Sequence, residues 1–217
     1  MTPAEQSRKT RDICRMAAVI PVLVLDEVES AAALARALIA GGLPALEVTL
    51  RTPKALEVIR RMADVPGGVV GAGTLLTPAD VKAAKAAGAR FGVSPGATDR
   101  LIAACAEEGL PLLPGAATAT EVMALLEQGY DMMKFFPAEN IGGAAAVRAL
   151  GAPLRQTGFC PTGGISLAKA PDYLALDNVL CVGGSWVAPA DLLTKGDWPA
   201  IETLARQAAA LPRAGVR

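Results

Sequence analysis

The chain contains no histidine. That absence removes the usual general base near neutral pH, the commonest zinc ligand, and every Ser-His or Cys-His nucleophile arrangement. Net charge is missing too, because 21 Lys plus Arg balance 21 Asp plus Glu. Without a basic excess nothing drives the chain along a nucleic-acid backbone, and a neutral surface does little to oppose self-association. The four cysteines, Cys14, Cys105, Cys160 and Cys181, form no C-x-x-C pair. They read as isolated small buried hydrophobes in a reducing compartment, with neither a disulfide frame nor a metal site expected. No apolar run is long enough to span a bilayer, and residues 1–15 are charged, with no signal-peptide core. The expected location is therefore the cytoplasm, with no membrane partner.

What the chain does have is a globular, apolar composition: 217 residues, 52% hydrophobic and 19% charged, with 22 Gly and 16 Pro. A chain of this size buries roughly 70% of the surface it exposes when unfolded. No linker or low-complexity stretch interrupts it, so one domain over residues 1–217 is expected. Thr2-Pro3-Ala4-Glu5 carries an N-cap, a proline at the first helical position and a capping-box glutamate, which predicts a helix over 1–16. Two textures then alternate. Short apolar runs lie at 19–25, 45–50, 68–72, 90–93, 111–113, 132–136, 156–160 and 179–182. Helical spacing occupies 30–40, 53–63, 78–87, 98–108, 118–128, 143–150, 167–173 and 199–211, with starts signalled at Thr52-Pro53, Thr77-Pro78 and Thr118. Residues 213–217 read as a frayed tail.

Strands alternating with helices imply parallel pairing, and eight such units predict a compact (β/α)8 TIM barrel with an N-terminal capping helix. A doubly wound sheet is the alternative. It would bind a nucleotide at its first βα turn, but that turn reads Asp26-Glu27-Val28-Glu29, acidic and without glycine.

In a barrel the chemistry gathers where strands end. Glu47, Thr49 and Arg51 fall at period two and so share one face, either toward a site or toward a covering helix. The third strand runs into Gly71-Ala72-Gly73-Thr74, whose Thr74 can bind a ligand or cap the next helix. Ser94-Pro95-Gly96 follows the fourth, with Pro95 shaping a wall. The main signal is Met132-Met133-Lys134-Phe135-Phe136-Pro137, a lysine inside an apolar, aromatic strand. Burial favours a neutral amine, and a neutral lysine attacks carbonyls to form a Schiff base. The plainer alternative is a lysine that snorkels to the rim or pairs with a carboxylate. Finally, Thr162-Gly163-Gly164 and Gly183-Gly184-Ser185 follow the seventh and eighth strands, where a barrel holds phosphate on backbone N–H groups. Two ordinary tight turns are the other reading. With no histidine available, Glu47 is the natural acid/base, its pKa raised by burial.

Together these pieces fit carbon–carbon cleavage beside a ketone. The sequence resembles the class I 2-keto-3-deoxy-6-phosphogluconate (KDPG) aldolases, which often also act on 4-hydroxy-2-oxoglutarate. The resemblance runs from about Val19 to Trp198 and rests on Leu46-Glu47-Val48-Thr49-Leu50-Arg51, Val70-Gly71-Ala72-Gly73-Thr74, Lys134-Phe135-Phe136-Pro137-Ala138-Glu139, Phe159-Cys160-Pro161-Thr162-Gly163-Gly164 and Gly183-Gly184-Ser185-Trp186. It implies Lys134 as the Schiff-base lysine and Glu47 as the general acid/base working through a water. It implies Arg51 and Thr74 at the pyruvate carboxylate, with Phe136 and Pro95 as walls near the iminium. It places Thr162, Gly163, Gly164, Gly184 and Ser185 around the substrate phosphate. It also implies a homotrimer without cofactor or metal, serving Entner–Doudoroff carbohydrate metabolism. One local departure is Thr157-Gly158, where relatives more often carry an aliphatic residue and an arginine.

Two other classes compete with this reading. A phosphate-binding isomerase or epimerase on the same barrel would explain the glycines but not Lys134. A non-catalytic barrel serving as an assembly subunit or keto-acid sensor would leave Lys134, Glu47 and Arg51 without work.

Overall fold

The computed structural model describes residues 1–214. The chain opens with α1 (Pro3–Arg15), β1 (Val19–Leu23), α2 (Ala31–Ala40), β2 (Ala45–Thr49), α3 (Ala55–Ala63) and β3 (Val69–Gly73). It continues through α4 (Pro78–Ala86), β4 (Phe91–Val93), α5 (Asp99–Glu108), β5 (Leu112–Leu113), β6 (Gly115–Ala116) and α6 (Ala119–Gln128). Then come β7 (Met132–Phe135), a 3-10 turn (Glu139–Ile141), α7 (Gly143–Gly151) and β8 (Gly158–Pro161). The last elements are α8 (Ala170–Leu174), β9 (Val182–Gly184), α9 (Ala190–Lys195) and α10 (Trp198–Ala209).

The result is an α/β fold around a curled parallel sheet. Six strands run in the order β5-β4-β3-β2-β1-β9 and three in the order β6-β7-β8. Every ladder is parallel, as helical crossovers require. Where the sequence predicts one fifth strand, the structure has two short pieces on either side of Pro114, which lacks the N–H a ladder needs. Isolated parallel bridges Phe159↔Val179 and Thr162↔Gly183 connect the β8 segment with the β9 segment.

Neighbouring strand residues enter different cores, as the strand period demands. Val19, Val70, Leu112 and Met133 belong to the large cluster shared with the helices. Ile20, Val69, Leu113 and Met132 belong to a second, smaller cluster that also holds Phe91 and Cys14. The side chains of α1 meet the starts of two strands. Gln6 Oε1 accepts from the Leu112 N–H at 3.1 Å, and Ser7 Oγ accepts from the Met132 N–H at 2.9 Å. The capping box expected at its start is present, with Thr2 Oγ1 accepting from Glu5 N–H and Glu5 Oε2 accepting from Thr2 N–H.

Two expectations need correction, and one helix is new. The helix predicted from Thr52-Pro53 starts at Ala55, because the Thr52 hydroxyl donates to Leu25 O at 2.6 Å instead of capping. The six-residue α9 has no counterpart in the sequence reading, being too short for its periodicity to register. The tail predicted to fray from 213 is tied down at its start. Arg213 donates to the carbonyls of Arg15 and Ala17, both at 3.1 Å, and Ala214 N–H donates to Leu174 O. Residues 215–217 lie outside the described residues.

Helices α2 and α10 meet tightly at Gly41, where a Cβ would lie 2.7 Å from Glu202 O and overlap the Ala205 methyl. Gly41→Ala is expected to cost about 1–3 kcal/mol by forcing α10 away from α2, read as a lower midpoint in chemical denaturation.

Candidate active site

All eleven residues singled out from the sequence line one cavity of about 320 Å³ at the carboxyl ends of the strands. Lys134 and Glu47 are its most buried charged residues; Arg51, Thr74 and Pro95 come from the ends of β2, β3 and β4, and Phe136, Thr162, Gly163, Gly164, Gly184 and Ser185 from the ends of β7, β8 and β9. Four further residues line it: Val22, Thr49, Ile165 and Gly183.

Lys134 takes its place from β7, whose Met133 and Phe135 neighbours point into the large core. Its Nζ lies 3.4 Å from Glu47 Oε1 and 5.1 Å from the centroid of the Phe136 ring. Lys134 is 6% exposed and Glu47 3%. A carboxylate and an ammonium removed from water must compensate each other, and loss of one partner strands the other. Burial pushes the Glu47 carboxyl above its ordinary value, and the charge of Lys134 opposes that rise. Of the readings open for Lys134, snorkelling to the rim is not seen: the side chain is buried and pairs with a carboxylate.

Two glycines leave room for the side chains of the cavity. A Cβ on Gly73 would overlap the Glu47 carboxylate, and one on Gly183 would overlap the Thr162 side chain. Directly after Gly73, Thr74 has φ 62°, the one non-glycine residue with positive φ among the described residues. A β-branched residue held there costs about 1–3 kcal/mol, strain of the kind that clusters at binding sites.

Arg51 is positioned by a residue that the sequence argument noticed but did not select. Thr49 Oγ1 donates to Leu23 O at 3.0 Å and accepts from Arg51 Nε at 3.2 Å. The period-two spacing of Glu47, Thr49 and Arg51 was the available signal. Val22 and Ile165 gave none, being apolar residues in apolar surroundings.

At the other end, Gly163 and Gly164 have φ of 108° and 75°, a conformation that suits glycine. Glu139 braces this turn. Its N–H donates to Gly163 O at 3.1 Å, and its carboxylate accepts from Lys169 Nζ and Tyr173 OH. Those two donors hold the Glu139 carboxyl below its ordinary value.

A buried amine beside a carboxylate, with an arginine and a glycine-rich turn lining the same cavity, is a donor set that suits Schiff-base lyase chemistry. Residues 10–204 match the family described as "KDPG and KHG aldolase". The 2-dehydro-3-deoxy-phosphogluconate aldolase of Dickeya dadantii is 50% identical over 193 residues, covering 88% of this chain and 91% of that protein. The crystal structure of the Zymomonas mobilis ZM4 2-keto-3-deoxy-6-phosphogluconate aldolase with 3-phosphoglycerate superposes with a TM-score of 0.93. It has 49% identity over 97% of this chain and 100% of that one. The Legionella pneumophila KDPG aldolase, solved with pyruvate captured as a covalent carbinolamine, gives a TM-score of 0.89. It has 42% identity over 92% of this chain and 98% of that one. The chain belongs to the KDPG and KHG aldolase family.

The raised Glu47 pKa has a consequence for pH dependence. A general base works only when deprotonated; with Glu47 in that role, activity is expected to fall as pH drops through its pKa in the folded chain. The acid limb of the kcat/KM profile is expected above 4.5, the ordinary carboxylate value. A profile measured between acid and neutral pH checks this, and Glu47→Gln should remove that limb.

Proposed function

We propose that the chain cleaves 2-keto-3-deoxy-6-phosphogluconate to pyruvate and glyceraldehyde 3-phosphate, and by the same route 4-hydroxy-2-oxoglutarate to pyruvate and glyoxylate. The observation that carries this reading is the buried contact between Lys134 Nζ and Glu47 Oε1 at 3.4 Å in the cavity.

The steps follow from that contact. The Glu47 carboxylate takes a proton from Lys134, freeing the amine to add to the C2 ketone of the substrate. The carbinolamine formed loses its hydroxyl as water with the proton returned by Glu47, leaving a protonated iminium on Lys134. Glu47, acting through a water, then removes the C4 hydroxyl proton. The C3–C4 bond breaks, its electron pair moves into the iminium to give an enamine, and the aldehyde departs. Protonation of the enamine at C3 and hydrolysis of the iminium release pyruvate and restore the lysine.

Arg51, held by Thr49, and Thr74 bind the substrate carboxylate. Pro95 and Phe136 wall the iminium. Thr162, Gly163, Gly164, Gly184 and Ser185 receive the phosphate on hydroxyl and backbone N–H groups. The reaction needs no metal or cofactor, because the iminium serves as the electron sink.

The same proposal includes the architecture. Residues 1–217 form one domain, in which β5 and β6 act as a single strand broken at Pro114 and the β8–β9 bridges complete an eight-stranded (β/α)8 barrel. Helix α1 caps its N-terminal mouth. The bridges and the polar contacts of α1 with the strand starts support this. A cytoplasmic homotrimer is the assembly proposed. It is supported by zero net charge, the exposed apolar Met16, Val24, Leu76 and Met123, and free buried cysteines. No helix of the described residues is long and apolar enough to cross a membrane.

Lys134→Ala is expected to reduce cleavage to background while the far-UV spectrum remains that of the folded chain; cleavage near the parent rate would overturn the assignment. Glu47→Gln is expected to keep substrate affinity and lower kcat by ~10²–10⁴-fold. Ser185→Ala should raise KM for the phosphorylated substrate by about tenfold or more, the worth of a hydrogen bond to a charged group. It should leave KM for 4-hydroxy-2-oxoglutarate nearly unchanged, and equal effects on both substrates would exclude a phosphate contact.

A further inference from the structure

Three cysteines that the aldol chemistry does not use converge inside the fold. Cys14 comes from the last turn of α1, Cys160 from β8, and Cys181 from the position just before β9. Their Sγ atoms all lie within 4.8 Å of one another, and each residue is at most 2% exposed. The sequence alone reads them as isolated small hydrophobes, since nothing in their spacing brings a helix residue against two strand positions. The fourth cysteine, Cys105, lies on α5 in the other core.

The surroundings determine what such a group can hold. Among the described residues no carboxylate joins the three sulfurs, and they share their cluster with Ile20, Val69, Phe91, Leu113 and Met132. Magnesium and calcium need several oxygen ligands, which this chamber does not supply. Thiolates select soft, thiophilic ions. A metal–sulfur bond of about 2.3 Å places the three sulfurs of a trigonal site ~4.0 Å apart, so closure from the present spacing needs a contraction below about 1 Å. Full burial makes the site closed, of the structural rather than the catalytic kind. Charge favours a divalent ion. Three thiolates around a monovalent ion leave two negative charges in an apolar core, whereas a divalent ion leaves one. Lys134, the register partner of Cys160 across β7 and β8, supplies a positive charge on the adjoining strand.

We infer that Cys14, Cys160 and Cys181 form a buried three-thiolate site for a divalent thiophilic cation, fastening α1 to β8 and to the segment entering β9. Binding exchanges three S–H bonds for three metal–sulfur bonds and releases three protons to solvent, with no change of oxidation state. Cys160 is in register with Lys134 on the adjoining strand, yet none of the three cysteines lines the cavity, so occupancy stabilises its scaffold without adding a group to it.

Cadmium chloride titrated into the full, reduced chain tests this. The expected result is one Cd²⁺ per chain by equilibrium dialysis, with ultraviolet thiolate-to-metal charge-transfer absorbance. Tm should rise by about 5–10 °C at a hundredfold excess over Kd. Magnesium chloride should produce none of these changes. Cys14→Ala and Cys181→Ala should each lower cadmium affinity at least tenfold, and Cys105→Ser should leave it intact. The parent chain decides the matter even where a variant folds poorly. No stoichiometric cadmium in the folded, reduced protein would overturn the inference, as would loss of binding in Cys105→Ser alone.

Discussion

Holding an ammonium and a carboxylate together out of water demands that the surrounding structure leave room for both and give neither an escape. The Lys134–Glu47 pair imposes this demand on four strands at once. β7 supplies the lysine between two core residues, and β2 supplies the glutamate. β3 must end in Gly73, because any side chain there would occupy the position of the Glu47 carboxylate. β8 places the small side chain of Cys160 in register with Lys134. Removing either partner would leave a buried charge unpaired, a loss of about 3–5 kcal/mol by analogy with other buried pairs. The raised pKa of Glu47 follows from the same confinement and makes the carboxyl able to give a proton as well as take one.

The cavity's two ends are built from different materials. At the β2 and β3 end a charged side chain is aimed by a neighbour, with Thr49 fixing Arg51, and the strained Thr74 turns the chain over the site. At the β8 and β9 end backbone does the work. Gly163 and Gly164 adopt left-handed φ, and Glu139, with Lys169 and Tyr173, keeps that turn in place. A cationic end and a backbone cradle on either side of a buried amine suit a substrate that carries an anion at each end and a ketone near one of them.

Most of this was legible in the residues, for physical reasons. A lysine in an aromatic strand and paired glycines at two strand ends violate local preference, and such violations point to a site. The alternation of textures carried the parallel topology, because strands and helices differ in period. Other features depend on contacts between distant segments and leave no local trace. Thr52 preferred the Leu25 carbonyl over capping α3. Pro114 divides a strand whose apolar run, 111–113, gives no sign of the second piece beyond it. Arg213 reaches back to the carbonyls of Arg15 and Ala17 at the end of α1, so the chain is anchored past α10. The cysteine trio belongs with these, since only the docking of α1 brings Cys14 to the other two.

The central claim is that Lys134 forms the covalent bond to the keto acid. Incubating the folded chain with pyruvate and borohydride, followed by peptide mass spectrometry, tests it directly. The account predicts a single reduced pyruvate adduct, located on Lys134. An adduct on another lysine, or none in the folded protein, would contradict it.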